Sequence, residues 1–278
     1  MGMGIDKSRV LVLGRGFLGK EYEKHGYTVW GRDKFDFKNL QRESYHYNQA
    51  SQILSDVKNS FDVIINCIGC ADTRFCEDGK NWGEVFHINS SLPKILSSIC
   101  LGLGKKFVHI STGCVYDKNN TPQKEDGFLS SHCKYVVSKL CAEFHCDLTR
   151  DLVLRPRLYF SGDKDKNNLL CKLPNFTSHL NEINSYTSTR TIVESTTALL
   201  SRNQSGIFNV ANIGYATIEQ IADWIGLDVK SVITGEGLQA SQGLALVNNI
   251  LDVSKLEKFY TPRDIKSEIL DCWSQLHN

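Results

Sequence analysis

The sequence predicts an α/β fold, a doubly wound parallel sheet with a smaller C-terminal lobe. Three observations carry this. Short apolar runs ending in glycine, proline or a polar pair recur along the first 156 residues, and each reads as a strand buried on both faces. Segments with helical periodicity separate them, which is the alternation that parallel crossovers require. After Arg155 the alternation lapses into the polar segment RLYFSGDKDKNNLLCKLPNFTS. Residues 1–155 are therefore expected to form the sheet domain. Residues 156–278 form the smaller lobe, parts of which can return to the sheet.

The elements follow in order. SRVLVLG is the first strand, and RGFLGKEYEKHG opens a helix that Gly26 stops. YTVWGRD is a second strand, ASQILSDVKNS an amphipathic helix, and FDVIINCIG a third strand. WGEVFHINSSLPKILSSICLGLG reads as a long helix with a kink near Pro93, because proline removes an internal hydrogen bond. KKFVHIST is the fourth strand, HCKYVVSKLCAEFHCDL a strong helix, and DLVLRP a fifth strand.

Composition excludes several classes of function. The 278 residues carry a formal charge of +1, so nucleic acid and anionic membranes are not expected partners. No apolar run approaches the roughly 20 residues that span a bilayer, and no signal-peptide pattern opens the chain. A cytoplasmic protein is expected, and a homodimer is left open. The ten cysteines are scattered and read as reduced thiols rather than a disulfide framework. Cys67, Cys70 and Cys76 resemble half of a zinc site, but no second pair follows. No metal is expected.

Gly14-Arg15-Gly16-Phe17-Leu18-Gly19 follows a strand and opens a helix. That setting is what a dinucleotide-binding (Rossmann) loop needs. Glycines admit the pyrophosphate close to the backbone, and the helix N-terminus offers unpaired N–H groups to its charge. The end of the second strand chooses the cofactor. Arg32, with Arg15, suits a 2′-phosphate and favours NADPH, while the neighbouring Asp33 keeps NADH open. Tyr135 and Lys139 lie four apart on one helical face. A lysine ammonium beside a phenol favours the phenolate, whose ordinary pKa is about 10. Such a tyrosine exchanges protons with a carbonyl or alcohol oxygen. The spacing is common on helices, so the pair alone makes no site. Thr112, ending the fourth strand, adds a hydroxyl for the same oxygen.

The glycine loop, Thr112, Tyr135 and Lys139 together resemble the extended short-chain dehydrogenase/reductase family over nearly the whole chain. More closely the chain is similar to the sugar-nucleotide branch that includes dTDP-4-dehydrorhamnose reductases, GDP-fucose synthases and UDP-4-keto-6-deoxyglucose 3,5-epimerase/4-reductases. Simple reductases of that branch carry tyrosine two residues after the Ser/Thr, and the bifunctional enzymes carry cysteine. This chain has Cys114. The resemblance also places Lys172, in NNLLCKLPNF, where the bifunctional type has a second acid/base lysine, and NNILDVSKLEKFY resembles that subgroup. By the same analogy Asp72, Thr73 and Arg74 line the crevice, and Asn89 is a structural asparagine. Two departures stand out. The glycine loop is one residue shorter than the family's usual pattern, and Arg157 falls where the family varies.

The resemblance implies an NADPH-dependent epimerase/reductase acting on a nucleotide-linked 4-keto-6-deoxyhexose and making UDP- or dTDP-L-rhamnose. Cys114 and Lys172 would move protons at C3 and C5, and Thr112, Tyr135 and Lys139 would serve the C4 oxygen. A 4-reductase alone and a non-catalytic NADP-binding regulatory subunit are the competing readings.

Overall fold

A computed structural model describes residues 4–34, 57–117, 119–130, 133–176, 179–180, 182–228, 232–233 and 249–278. The first strands are β1 (Val10–Leu13), β2 (Thr28–Trp30), β3 (Val63–Asn66), β4 (Lys106–Ile110), β5 (Asn119–Gln123) and β6 (Leu152–Pro156). Then come β7 (Tyr159–Phe160), β8 (His179–Leu180), β9 (Thr187–Ser188), β10 (Gly206–Val210), β11 (Val232–Ile233) and β12 (Asn249–Leu251). The first helices are α1 (Phe17–Lys24), α2 (Thr73–Glu77), α3 (Trp82–Phe86), α4 (Leu92–Gly102) and α5 (Lys134–Glu143). They are followed by α6 (Leu169–Lys172), α7 (Thr189–Ser201), α8 (Ile218–Trp224), α9 (Ser254–Glu257) and α10 (Ile265–His277). None of the described helices is long and apolar enough to cross a membrane.

Six strands form one sheet in the order β10-β6-β4-β3-β1-β2. The pairings of β1 with β2 and β3, of β3 with β4 and of β4 with β6 are all parallel. The doubly wound fold expected from the sequence is present. β1, β3 and β6 are buried along their whole length, and each opens with an apolar run of three or four residues. β2 is shorter than the sequence suggests, so Arg32 lies past its end and is exposed. β10 is a sixth strand, drawn from the C-terminal half. Residues 50–56 of the expected amphipathic helix lie outside the described residues.

The chain divides into two compact units: Met1–Ser111, Lys134–Leu154 and Leu199–Ile207 form one, and Thr112–Cys133, Arg155–Ala198 and Phe208–Asn278 the other. The chain changes unit at several points, one of them between Leu154 and Arg155. In the first unit Leu11, Leu13, Ile64 and Phe107 from the strands pack with Ile88, Leu92, Leu96 and Ile99 around α4. Each such side chain contributes about 1.5–3 kcal/mol by burial. In the second, Phe160, Leu170, Tyr186 and Ile221 pack with Ile265, Ile269 and Leu276 of α10. There the small parallel pairs β5 with β12, β7 with β9 and β8 with β11 build irregular edges.

The long helix expected over residues 82–104 is broken where proline predicts. α3 runs into a π-helical turn over His87–Ser91, and α4 starts at Leu92 with Pro93 in its first turn. Pro93 has no N–H to offer the carbonyl of Asn89, so the regular ladder cannot continue through that point.

Candidate active site

The glycine loop has the shape its residues predict. Gly14 has φ 106°, a left-handed conformation that other residues rarely adopt, and its N–H donates to Trp30 O at 2.9 Å. A Cβ on Gly19 would lie 1.9 Å from Gly14 O, so nothing but glycine fits where α1 crosses the strand end. Gly16 caps α1, and a Cβ there would meet nothing within 4 Å. Space therefore stands open over the first N–H groups of α1, which have no partner inside the helix. Gly14, Gly16, Phe17, Leu18 and Gly19 form a cradle that fits a pyrophosphate. Arg15 is bonded to Glu23, with Nε to Oε2 at 3.0 Å and Nη2 to Oε1 at 3.0 Å. Its stem lies against Gly31, where a Cβ would come 3.4 Å from Arg15 Cβ.

Lys139 is the central cation of the first unit. It is buried, and its Nζ donates to Ile110 O at 2.7 Å, at the end of β4. Burial brings its pKa down to about 8, with Glu143 opposing. The carboxylate of Glu143 in turn accepts a short hydrogen bond from Ser111 Oγ. Tyr135, one turn before Lys139 on α5, is half-buried. The helix that carries both is fixed at its N-terminus and near its middle. Glu77 accepts from Lys134 N at 3.2 Å and from Tyr135 N at 3.1 Å, placing a carboxylate at the positive end of the helix. Asn89, in the π turn, accepts from Cys70 N at 2.8 Å and donates to Cys70 O at 2.9 Å and Ser138 Oγ at 3.0 Å. Ser138 Oγ donates to Tyr135 O at 2.7 Å. Asn89 thus ties α5 to the loop after β3. The structural role expected of it is met through contacts the sequence could not specify.

Asp72 caps α2 by accepting from Phe75 N, and Thr73 opens that helix. Cys76 and Cys70 approach to 3.6 Å, sulfur to sulfur, one thiol donating to the other. Burial pushes the Cys67 thiol up, so it stays protonated. Among the described residues no three His, Cys, Asp or Glu side chains gather as a metal ion would need.

Thr112 and Cys114 belong to the second unit. The strand gives way to a tight 3-10 turn over Gly113–Val115, and Thr112 Oγ1 caps it by accepting from Cys114 N at 3.2 Å. That bond occupies the oxygen as an acceptor and leaves its hydrogen to be donated elsewhere. A Cβ on Gly113 would lie 2.9 Å from Leu251, so β12 packs tightly on the turn. The cation beside the thiol is Arg157, whose Nη1 lies 2.6 Å from Cys114 Sγ. Lys172 ends the four-residue helix α6 and is exposed, and among the described contacts none joins it to Cys114.

Sequence reasoning missed Glu77 and left Arg157 without a role. Neither lies in a recognisable motif, and each meets a residue 58 or 43 positions away.

The pattern of the NAD dependent epimerase/dehydratase family matches residues 10–152. The chain is 25% identical over 264 residues, 87% of its length, to a trifunctional UDP-glucose 4,6-dehydratase/UDP-4-keto-6-deoxy-D-glucose 3,5-epimerase/UDP-4-keto-L-rhamnose-reductase of Arabidopsis thaliana. It spans 37% of the length of that plant protein. Among solved structures, the L780 UDP-rhamnose synthase of Acanthamoeba polyphaga mimivirus superposes with TM-score 0.81 at 20% identity, covering 96% of this chain and 98% of that one. A dTDP-4-dehydrorhamnose reductase of Bacillus anthracis in complex with NADP superposes with TM-score 0.81 at 16% identity, covering 96% and 99%. At such identities these likenesses establish the fold.

Proposed function

The chain belongs to the NAD dependent epimerase/dehydratase family, and from that premise we propose that it is an NADPH-dependent 3,5-epimerase/4-reductase of a nucleotide-linked 4-keto-6-deoxyhexose. The product is a UDP- or dTDP-linked L-rhamnose. The observation that carries the reading is the turn at the end of β4, which bears the Thr112 hydroxyl and the Cys114 thiol and orients the hydroxyl by the Cys114 N–H. The similar plant and viral proteins are named for this chemistry. The dehydratase step of the plant name is no part of the proposal.

Gly14, Arg15, Gly16, Phe17, Leu18, Gly19 and Arg32 would hold the dinucleotide, Arg32 by its 2′-phosphate. When bound, the reduced nicotinamide supplies the hydride that turns the C4 ketone into an alcohol.

The chain's own groups do the rest. C–H bonds at C3 and C5 are acidic because the resulting anion spreads onto the C4 oxygen. Cys114, as thiolate, takes such a proton: the C–H bond breaks, an S–H bond forms and the electron pair moves to the oxygen. Thr112 and Tyr135 donate hydrogen bonds to that oxygen and stabilise its charge. Lys172 returns a proton to the opposite face, which inverts the centre, and exchange with water resets both groups. Tyr135 finally protonates the C4 oxygen, and the Lys139 ammonium favours the phenolate left behind. Epimerisation and reduction share one set of residues because both load charge onto the same atom.

The test uses purified protein, NADPH and UDP- or dTDP-4-keto-6-deoxyglucose in deuterated water. The expected product is the L-sugar, with deuterium at C3 and C5. Cys114→Ser should still reduce a substrate already epimerised but fail to exchange those protons. A wild-type product that keeps the D-configuration would leave a reductase alone, and normal exchange by Cys114→Ser would remove the thiol from the mechanism. No NADPH oxidation with any 4-keto nucleotide sugar would favour a non-catalytic subunit.

A further inference from the structure

We propose that Cys70 and Cys76 are a redox-active thiol pair: a peroxide converts them to a reversible disulfide, and the disulfide loosens the N-terminal half of α5. The inference concerns the first unit alone. It goes beyond the functional reading above and does not depend on it.

The two sulfurs lie 3.6 Å apart, and Cys76 Sγ is also 3.6 Å from Cys70 O. Cys76 sits in α2 and is fully buried, whereas Cys70 precedes that helix in irregular chain and is half-buried. An accessible sulfur is thus backed by a second one that solvent does not reach. That is the arrangement of an attacking thiol and its resolving partner. The Cys76 thiol donates toward Cys70, which favours the Cys70 thiolate and, with the Asp72 N–H, brings its pKa down to about 7. Burial and the carboxylates of Asp72 and Glu84 oppose this without reversing it. The same bond pushes the Cys76 thiol up, so its neighbour is the nucleophile. Cys67, on the same loop, is pushed up by burial and offers no competing thiolate.

A peroxide is the oxidant, and the step balances. The Cys70 thiolate attacks one peroxide oxygen: an S–O bond forms, the O–O bond breaks and hydroxide leaves, giving a sulfenic acid. The Cys76 sulfur then attacks the Cys70 sulfur. An S–S bond forms, the S–O bond breaks, and the Cys76 proton departs with the hydroxyl as water. The two sulfurs lose two electrons, and hydrogen peroxide ends as two waters once the hydroxide collects the proton Cys70 had shed. An external dithiol reverses the step by exchange and is itself oxidised.

Both cysteines adjoin the groups that hold α5. The Cys70 N–H and carbonyl are each bonded to the Asn89 amide, which also donates to Ser138 Oγ on α5. Cys76 precedes Glu77, whose carboxylate accepts from Lys134 N and Tyr135 N and whose carbonyl accepts from Lys134 Nζ at 2.9 Å. An S–S bond is about 2.05 Å long, so sulfurs 3.6 Å apart must close by roughly 1.5 Å. The approach is drawn from Cys70, from α2 or from both, and each of them anchors α5.

Mass spectrometry on the full chain tests this without substrate. Hydrogen peroxide at pH 7.5, then alkylation and trypsin, should give peptides 59–74 and 75–80 joined. The joined pair should be about 2 Da lighter than the two reduced peptides together, and dithiothreitol should separate them. In Cys76→Ala the join should vanish, and Cys70 should accumulate as a sulfenic acid that dimedone labels. Amide hydrogen exchange over residues 134–143 should rise at least threefold when wild type is oxidised. It should stay unchanged in Cys70→Ala given the same peroxide. Peptides that remain separate, or a join that survives Cys70→Ala, overturn the pair. Joined peptides with unchanged exchange in α5 overturn its action on the helix. Because Cys70 is half-buried outside the helices, the Cys70→Ala comparison decides the matter even if Cys76→Ala does not fold.

Discussion

Lys139 Nζ donates a 2.7 Å hydrogen bond to the carbonyl oxygen of Ile110, tying the helix that bears Tyr135 to the last residue of β4. The bond holds a buried ammonium whose pKa burial brings to about 8. Below that pH the folded protein keeps a desolvated charge at a cost. Between pH 8 and about 10.4, the ordinary lysine value, the unfolded chain still holds the proton that the native Lys139 has released. Where the unfolded state binds more protons, stability rises with pH. Wild type should therefore gain about 2 kcal/mol relative to Lys139→Met between pH 7 and 9.5, read from urea midpoints. Parallel pH dependence of the two proteins would mean that Lys139 titrates as if in water.

Gly16 and Gly19 should separate cofactor binding from folding. A Cβ on Gly19 would lie 1.9 Å from Gly14 O, a backbone atom that cannot step aside, whereas a Cβ on Gly16 meets nothing within 4 Å. Gly19→Ala should destabilise the protein by about 1–3 kcal/mol and abolish NADPH binding. Gly16→Ala should melt within a few degrees of wild type yet bind NADPH at least tenfold more weakly, because its methyl occupies the approach to the helix N-terminus. Titration of NADPH fluorescence and thermal melts of both variants supply the comparison. Undiminished NADPH affinity in Gly16→Ala would place the dinucleotide elsewhere.

Glu77 connects α2 to α5 by accepting from the first two backbone N–H groups of the helix. Glu77→Ala removes both acceptors and the negative charge at a helix N-terminus, at an expected cost of about 1–2 kcal/mol. Since Tyr135 N is one of the two donors, the phenol loses its fixed starting point. kcat for ketone reduction should fall several-fold while the KM for NADPH changes little, and Glu77→Gln should keep part of the rate. A variant with normal kcat would confine Glu77 to stability.

The sheet and the glycine loop were legible because their signals are local. Buried parallel strands read as apolar runs, and Gly14 and Gly19 of the loop sit where a side chain would crowd the backbone. The break before Pro93 was legible for the same reason. β10 was not assigned as a strand because the polar, irregular segment after Arg155 masks the alternation that β9 and α7 resume just before it. Tyr135 and Lys139 could be paired by helical spacing, but the partners of Lys139 and Asn89 are set by tertiary packing. Arg157 shows the limit most clearly. Its side chain meets Asn184, 27 positions away, and Cys114, 43 positions away. Nothing in the spacing of the three announces that they meet.

Arg15 and Arg32 divide the preference for a 2′-phosphate unequally. Arg15 is engaged in an exposed fork with Glu23, its side chain 58% and that of Glu23 42% accessible. Exposed pairs of this kind are worth about 0–1 kcal/mol, so a phosphate can win Arg15 at small cost. Glu23→Gln, which weakens that hold, should therefore raise NADPH affinity by no more than about fivefold and leave NADH affinity unchanged. Arg32 stands past the end of β2, where an arginine meets the 2′-phosphate in folds of this kind. Arg32→Ala should cost NADPH at least tenfold in Kd and spare NADH, because the lost contact is to a group that NADH lacks. Equal losses for the two cofactors would make Arg32 a general contributor to the positive field of the loop, and Asp33, next along the chain, would then become the residue to test by Asp33→Ala for contact with the ribose hydroxyl.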